Sequence, residues 1–179
     1  DEKIKVAAYT DTNKKVEFND NYLTWTNRDI SLIVSSEDFD SSAVSISYDF
    51  EGNTVTKNVS GLERSTDQYQ ADDSKYYNVF NISAEIILNS NVVITYTLND
   101  GSIYSRIVNV RIDKECATFI ASSTNDWISV EKPLTVFIDD GEGSGVKGFY
   151  ISKDKNNLGT LYETDYKHTV NITETGTYY

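Results

Sequence analysis

The 179 residues are enough for one large or two ordinary domains, because domains cluster around ~100 to 150 residues. The 28 acidic and 16 basic residues give a formal net charge of −12, which repels the phosphate backbone of nucleic acid, so no nucleic-acid partner is expected. Hydrophobic residues make up 39% of the chain in short blocks, which predicts a folded protein, and no run approaches the ~18 apolar residues that a membrane span needs.

Apolar and polar residues alternate along most of the chain, and helical periodicity is nearly absent. This pattern predicts strands with one buried face at Ile30–Val34, Val44–Phe50, Ile82–Leu88, Val92–Leu98, Val108–Ile112 and Leu134–Ile138. Between two of these runs, Asn99-Asp100-Gly101 predicts a hairpin turn, because Asn and Gly favour the backbone conformation of a tight turn. The sequence therefore predicts an all-β protein.

The chain contains an internal repeat. Residues 25–48 match residues 127–150 without a gap at Trp25/Trp127, Leu32/Leu134, Val34/Val136, Asp38/Asp140, Ser42/Ser144, Val44/Val146 and Tyr48/Tyr150, each pair 102 residues apart. A further similarity, between 79–83 and 169–173, has an offset of about 90 residues. The first copy thus carries extra residues, which we place in a polar insertion at about 53–77.

The repeat predicts two tandem immunoglobulin-like β-sandwich domains at residues 1–113 and 114–179, since its length is that of one such domain. The second domain is expected to lack its last strand in this chain. Residues 174–179 resemble the opening of the strand at Val92–Leu98, and nothing after them matches Ile103–Ile112. Because such a sandwich exposes an unpaired edge, we expect the chain to continue past Tyr179 or another segment or chain to supply the strand.

An acidic, glycine-rich segment follows the predicted strand that ends at Ile138. Oxygen-bearing side chains stand at alternate positions there, as in the first half of a calcium-binding EF-hand loop. The candidate metal ligands are Asp140, Glu142 and Ser144 in the second copy and Asp38 and Asp40 in the first. The alternative is a bend between strands, in which Asp and Ser side chains accept hydrogen bonds from backbone amides. Calcium is the one cofactor that the sequence suggests.

No set of residues predicts catalysis. The acidic residues are spread over loops, whereas glycosidic hydrolysis needs two carboxyl groups at a fixed separation in a cleft. His168 is the only histidine, so no histidine metal cluster and no catalytic triad with a choice of bases is available. We expect His168 on a strand surface beside Lys167, and a protein that is not an enzyme.

Aromatic residues are the candidates for ligand binding. The two tryptophans could stack on sugars, but Trp25 and Trp127 recur at the same place in both copies, which favours a packing role in the core, at the end of the sandwich. Exposed loop tyrosines make adaptable contacts, and the polar insertion carries Tyr69, Tyr76 and Tyr77, which we predict to bind ligand. Tyr178 resembles a tyrosine corner, whose hydroxyl bonds back to a nearby backbone group.

These motifs together resemble a known family. The segments WTNRDISLIV and LTVFIDDGEGSGV, with Ile112-Asp113-Lys114 closing the first copy, are similar to the tandem immunoglobulin-like domains of Gram-positive cell-surface proteins. Ala43 departs from the loop glycine of that family, and Glu115-Cys116 from its Thr-Pro-type linkers. The resemblance implies an extracellular position, at the cell surface or secreted, and no catalytic residues.

From this resemblance we expect a structural or adhesive segment of a larger bacterial surface protein, which spaces or displays a binding region. Its partners would be a protein or glycan ligand at the cell surface and the neighbouring domains of the same chain. The alternative is a carbohydrate-binding accessory module of a secreted enzyme.

Overall fold

The computed structural model describes residues 3–36, 41–60, 63–64, 76–122, 132–174 and 176–179. All regular elements within these ranges are β-strands, so no described segment is a helix long and apolar enough to cross a membrane. The chain divides into two compact units, Asp1–Lys114 (unit 1) and Glu115–Tyr179 (unit 2).

The described strands of unit 1 are β1 (Lys5–Thr10), β2 (Lys15–Val16), β3 (Phe18–Asn19), β4 (Tyr22–Leu23), β5 (Ile30–Ser35), β6 (Ser41–Phe50), β7 (Asn53–Ser60), β8 (Glu63–Arg64), β9 (Tyr76–Ile82), β10 (Ile87–Leu98) and β11 (Ile103–Asp113). They form sheet 1, in the order β2-β1-β5-β9-β8, and sheet 2, in the order β3-β4-β11-β10-β6-β7. Neighbouring strands pair antiparallel, except that β4 and β11 are parallel.

The core of unit 1 lies between the two sheets, because alternate residues of each strand point inward. Sheet 1 contributes Leu32 and Val34, and sheet 2 contributes Ile46, Ile94 and Val110, none of them more than marginally exposed to solvent. Two mostly antiparallel sheets that pack face to face, with connections that cross from one sheet to the other, form an immunoglobulin-like sandwich. The prediction of an all-β, immunoglobulin-like fold is therefore confirmed.

The predicted hairpin joins β10 to β11. The amide of Leu98 donates to the carbonyl of Ser102 at 2.9 Å, and Gly101 has a positive φ of 87° that an L-residue adopts with strain. The carboxylate of Asp100 accepts a hydrogen bond from the Ser102 amide at 2.8 Å, and this bond lowers the pKa of Asp100. The hairpin prediction is confirmed.

The single strand predicted at Ile82–Leu88 is wrong. Strand β9 ends at Ile82 in sheet 1, and β10 begins at Ile87 in sheet 2. The chain crosses between the sheets here, with the amide of Ala84 donating to the Asp29 carboxylate at 3.2 Å. Ile82, Ala84 and Leu88 point into the shared core, which explains most of the apolar alternation, whereas Ile86 in the crossing is 55% exposed.

Residues 53–60, the first part of the predicted insertion, form β7, which pairs with β6 along its whole length and is the edge strand of sheet 2. Residues 63–64 form β8, which pairs with the first two residues of β9. The rest of the predicted insertion, 61–62 and 65–75, lies outside the described residues.

The described strands of unit 2 are β12 (Thr118–Ala121), β13 (Lys132–Asp139), β14 (Gly148–Ile151), β15 (Thr160–Glu163) and β16 (Lys167–Ile172). They form a sheet in the order β12-β13-β16 and a hairpin of β14 and β15. The order β12-β13-β16 is that of β1-β5-β9 in sheet 1 of unit 1.

The strand registers of the two units agree with the sequence repeat. Leu32 lies opposite Phe80 in unit 1, and Leu134 lies opposite Val170 in unit 2. Leu134 follows Leu32 by 102 residues and Val170 follows Phe80 by 90, the two offsets found in the sequence. Both copies of the repeat therefore build the same pair of neighbouring strands.

The second sheet of unit 2 consists of β14 and β15. Just after β14, Ser152 forms a further backbone pair with Tyr179. The amide of Tyr179 donates to the carbonyl of Ser152 at 2.8 Å, and the amide of Ser152 donates to the carbonyl of Tyr179 at 3.1 Å. Among the described residues of unit 2, the buried hydrophobic side chains are Val136 and Ile138, whereas Phe119 is 73% exposed. The described part of unit 2 thus buries much less apolar surface than unit 1.

Candidate functional site

The acidic loop after β13 is a hydrogen-bonded bend. The Asp139 carboxylate accepts a hydrogen bond from the Gly141 amide at 2.8 Å, and the Asp140 carboxylate accepts one from the Gly145 amide at 2.6 Å. Gly141 and Gly145 have positive φ values of 57° and 88°, which explains why glycine stands at both positions. This geometry is the one expected for a bend whose aspartates bond to backbone amides.

Three of the candidate calcium ligands lie in this bend. Asp140 already has one carboxylate oxygen bonded to the loop backbone, and Glu142 and Ser144 are exposed. Within the described ranges, no group of three or more His, Cys, Asp or Glu side chains is placed to hold a metal ion. Asp38 and Asp40 lie outside the described residues. Calcium binding by these residues stays a prediction.

The tyrosines predicted to bind ligand are partly in a strand. Tyr76 and Tyr77 are the first residues of β9, opposite Arg64 and Glu63 of β8, and so belong to sheet 1 instead of a loop. The segment before Tyr76 has no apolar alternation, so the sequence pattern does not predict a strand there. Tyr69 lies outside the described residues. A binding role for the three stays a prediction.

Trp25 does not belong to the core cluster of unit 1, so the core position predicted for it is wrong. Its side chain is partly exposed just beyond β4, with the guanidinium carbon of Arg111 5.8 Å from the ring centroid. The same carbon lies 4.7 Å from the ring centroid of Tyr22, which is 51% exposed. The physical reason is the parallel β4–β11 contact, which brings both rings onto the outer face of sheet 2. Trp127 lies outside the described residues.

Arg111 begins a chain of hydrogen bonds that runs along β11 and across to β10. Its Nε donates to Oδ1 of Asn109 at 3.0 Å, and Nδ2 of Asn109 donates to Oδ1 of Asn91 at 3.1 Å. Asn109 lies opposite Tyr22 on one side and opposite Asn91 on the other. These residues alternate with the buried Val92, Val108 and Val110, so they occupy the outer face of sheet 2. We call Tyr22, Trp25, Asn91, Asn109 and Arg111 the Arg111 cluster.

Apart from Trp25, the residues of the Arg111 cluster are not predicted from the sequence pattern. One signal for part of it was present, since the predicted hairpin at Asn99-Asp100-Gly101 places Asn91 opposite Asn109 once the strands are extended from the turn. No such signal exists for Tyr22, because its strand has only two residues. Its partner on β11, Asn109, lies 87 residues later in the chain.

The position expected for His168 is wrong. The His168 ring lies 5.3 Å from the centroid of Tyr162 and 6.2 Å from that of Phe149, and these two rings stack on each other at 5.6 Å. His168 lies opposite buried Val136, so it points to the inner side of its sheet, toward the β14–β15 hairpin. The residue fills space between the two layers of unit 2 instead of lying on a strand surface.

Comparisons with known proteins give one structural likeness. No protein-family model matches the chain, and no curated protein sequence matches it at a significant level. A solved structure described as "Structures of Clostridium thermocellum CbhA fibronectin(III)-like modules" is similar at 11% sequence identity and a TM-score of 0.33. The alignment covers 93% of this chain and 80% of that one.

Proposed function

We propose that this chain is a non-enzymatic structural or adhesive segment of a larger extracellular bacterial surface protein, where it spaces or displays a binding region. The observation that supports this is the repeated strand arrangement. Leu32 and Phe80 face each other in unit 1 as Leu134 and Val170 do in unit 2. A series of domains of one design lengthens a chain, which suits a spacing function.

The test of the surface location is antibody labelling of cells that make the protein. Antibodies raised against residues 3–114 should label intact cells as strongly as lysed cells, while a cytosolic marker protein is labelled only after lysis. Labelling of this chain that requires lysis would overturn the proposed location.

A second candidate function is a carbohydrate-binding module of a secreted enzyme. The observation that favours it is the partly exposed position of Trp25 and Tyr22 beside Arg111, since exposed aromatic rings offer stacking surfaces. Both functions are non-catalytic. Incubation with polysaccharide, ester and peptide substrates should release no product above a buffer control.

A further inference from the structure

Four strands of sheet 2, β6, β7, β10 and β11, have a nearly uncharged outer face, although a quarter of the chain is charged. Along β6, β7, β10 and β11, the outward positions within 43–58 and 89–111 carry two charged side chains, those of Asp49 and Arg111. Lys57 and Arg106 lie opposite buried Ile46 and Ile94 and therefore belong to the inward side. Serine, threonine and asparagine fill most of the other outward positions, so this face offers hydrogen-bonding groups without a strong field.

The Arg111 cluster lies on this face with donors held in fixed directions. The guanidinium group stacks against two rings and has its Nε–H bonded to Asn109, so its plane cannot turn freely. No described residue accepts a hydrogen bond from its two terminal nitrogens. Asn91 uses its carbonyl oxygen as acceptor for Asn109, which leaves its amide nitrogen able to donate. Several donors thus face solvent beside a half-exposed Tyr22 ring.

From this arrangement we infer that the Arg111 cluster binds a neutral glycan, with hydroxyl groups of the sugar accepting from Arg111 and Asn91 and an apolar sugar face against Tyr22 or Trp25. This inference rests on the proposed non-catalytic function and names its ligand class. Neutral sugars combine many hydroxyl groups with small apolar faces, which is what donors beside aromatic rings recognise.

The charge distribution of the protein disfavours other ligands. A net charge of −12 repels polyanions, and Arg111 shares its face with the Asp49 carboxylate. Beside Arg111 a peptide cannot add as a strand, because residues 109–113 of β11 are bonded to β10 on one side and to residues 21–26 on the other. The neutral face of an acidic protein is therefore complementary to a neutral polymer.

The test is native gel electrophoresis of the whole chain through gels that contain hydroxyethylcellulose, xylan, mannan or polygalacturonate. At least one neutral polysaccharide should retard the protein. Tyr22→Ala and Arg111→Lys should each weaken this binding about tenfold or more, the loss expected when a hydrogen bond or stacking contact to the ligand is removed. Asn91→Ala is the third cluster variant and should also weaken binding. Because Asn91 is exposed and lies away from the core, this change should have little effect on folding.

The matched controls are Tyr150→Ala and Arg28→Lys, which change an exposed tyrosine of unit 2 and an arginine paired with Asp11. Both should bind like the unchanged protein. Retardation by polygalacturonate alone, no retardation by any neutral polysaccharide, or full binding by all three cluster variants would overturn the inference. Release of reducing sugar during the experiment would instead overturn the proposed non-catalytic function, so the two failures are distinguishable.

Discussion

The hydroxyl of Tyr178 donates a hydrogen bond of 2.9 Å to the backbone carbonyl of Glu174. This confirms the tyrosine corner predicted from the sequence. Lys153 joins the same corner, since its Nζ lies 5.4 Å from the centroid of the Tyr178 ring and 2.5 Å from Oε2 of Glu174. The corner holds Glu174 and residues 176–179 against the loop that follows β14, where Tyr179 pairs with Ser152.

Tyr178→Phe should destabilise unit 2 by about 0.5 to 1 kcal/mol, because one hydrogen bond is lost while the ring is kept. Hydrogen exchange followed by mass spectrometry would measure the opening free energy of each unit separately. Tyr166→Phe is the matched control, because Tyr166 packs its ring on Phe137 and is 59% exposed. Equal effects of the two changes would contradict a stabilising role for the corner.

The Lys153–Glu174 pair should make the stability of unit 2 depend on pH in a defined window. The hydrogen bond from Lys153 lowers the pKa of Glu174, so its contribution is complete above the ordinary glutamate pKa and is lost as pH falls through the lowered value. The same bond raises the pKa of Lys153, so its contribution is complete below the ordinary lysine pKa and is lost as pH rises through the raised value.

Glu174→Gln should therefore lower the urea midpoint of unit 2 most between about pH 5 and pH 10, the interval between the ordinary pKa values of the two groups. The difference should shrink at lower and higher pH and in 1 M salt, since both groups are exposed and screened. Glu163→Gln, in the longer Lys147–Glu163 pair at 4.0 Å, is the control. A difference that does not change with pH would contradict this account.

Equivalent leucines of the repeat should differ in their contribution to stability. Leu32 is fully buried in unit 1, so Leu32→Ala should cost about 2 to 5 kcal/mol, the range for leucine truncation in a close-packed core. Leu134, its counterpart, is only partly buried, so Leu134→Ala should cost clearly less. Denaturant unfolding, analysed for each unit, would measure both values. Equal costs would show that the units are packed alike.

Gly148→Ala should disrupt the β14–β15 hairpin. A Cβ at Gly148 would lie 2.3 Å from the carbonyl oxygen of Tyr162, and the φ of 155° is one that L-residues rarely adopt. Gly141→Ala is the control, since it also has a positive φ but no atom within 4 Å of the added Cβ. We expect a loss of about 1 kcal/mol for Gly141→Ala and a larger one for Gly148→Ala, measured by thermal unfolding. Similar losses would contradict the steric argument.

The acidic loop is tested by thermal unfolding with calcium and with chelator. An ion that binds only the folded state raises the midpoint, so a rise that disappears in Asp140→Ala would establish the calcium site. The bend geometry predicts instead that Asp140→Ala lowers stability by about 1 kcal/mol equally in both conditions, because the bond to the Gly145 amide is lost. If the loop is only a bend, Glu142→Ala, which changes an exposed side chain in the same loop, should not change the midpoint.

Some of the fold followed from local pattern. The alternation that ends at Leu98 and the turn at Asn99-Asp100-Gly101 determined the β10–β11 hairpin, because turn chemistry and side-chain period act between near neighbours in sequence. The offsets of 102 and 90 residues likewise determined which strands correspond, since homologous strands keep their register. The tyrosine corner at Tyr178 was recognisable because its partner, Glu174, is four residues away.

Other features depend on contacts that no local pattern contains. Ile82–Leu88 has the alternation of one strand, yet it crosses between two sheets, because burial on a shared inner side imposes the same period on both. His168 was expected on a surface and lies on the inner side of its sheet, whereas Trp25 was expected in the core and lies on an outer face. The face on which each side chain lies depends on which distant strand pairs beside it, and no local pattern contains that information. Tyr22 meets Arg111 only through the parallel pairing of β4 with β11, so only the tertiary structure decided that a candidate binding site exists there.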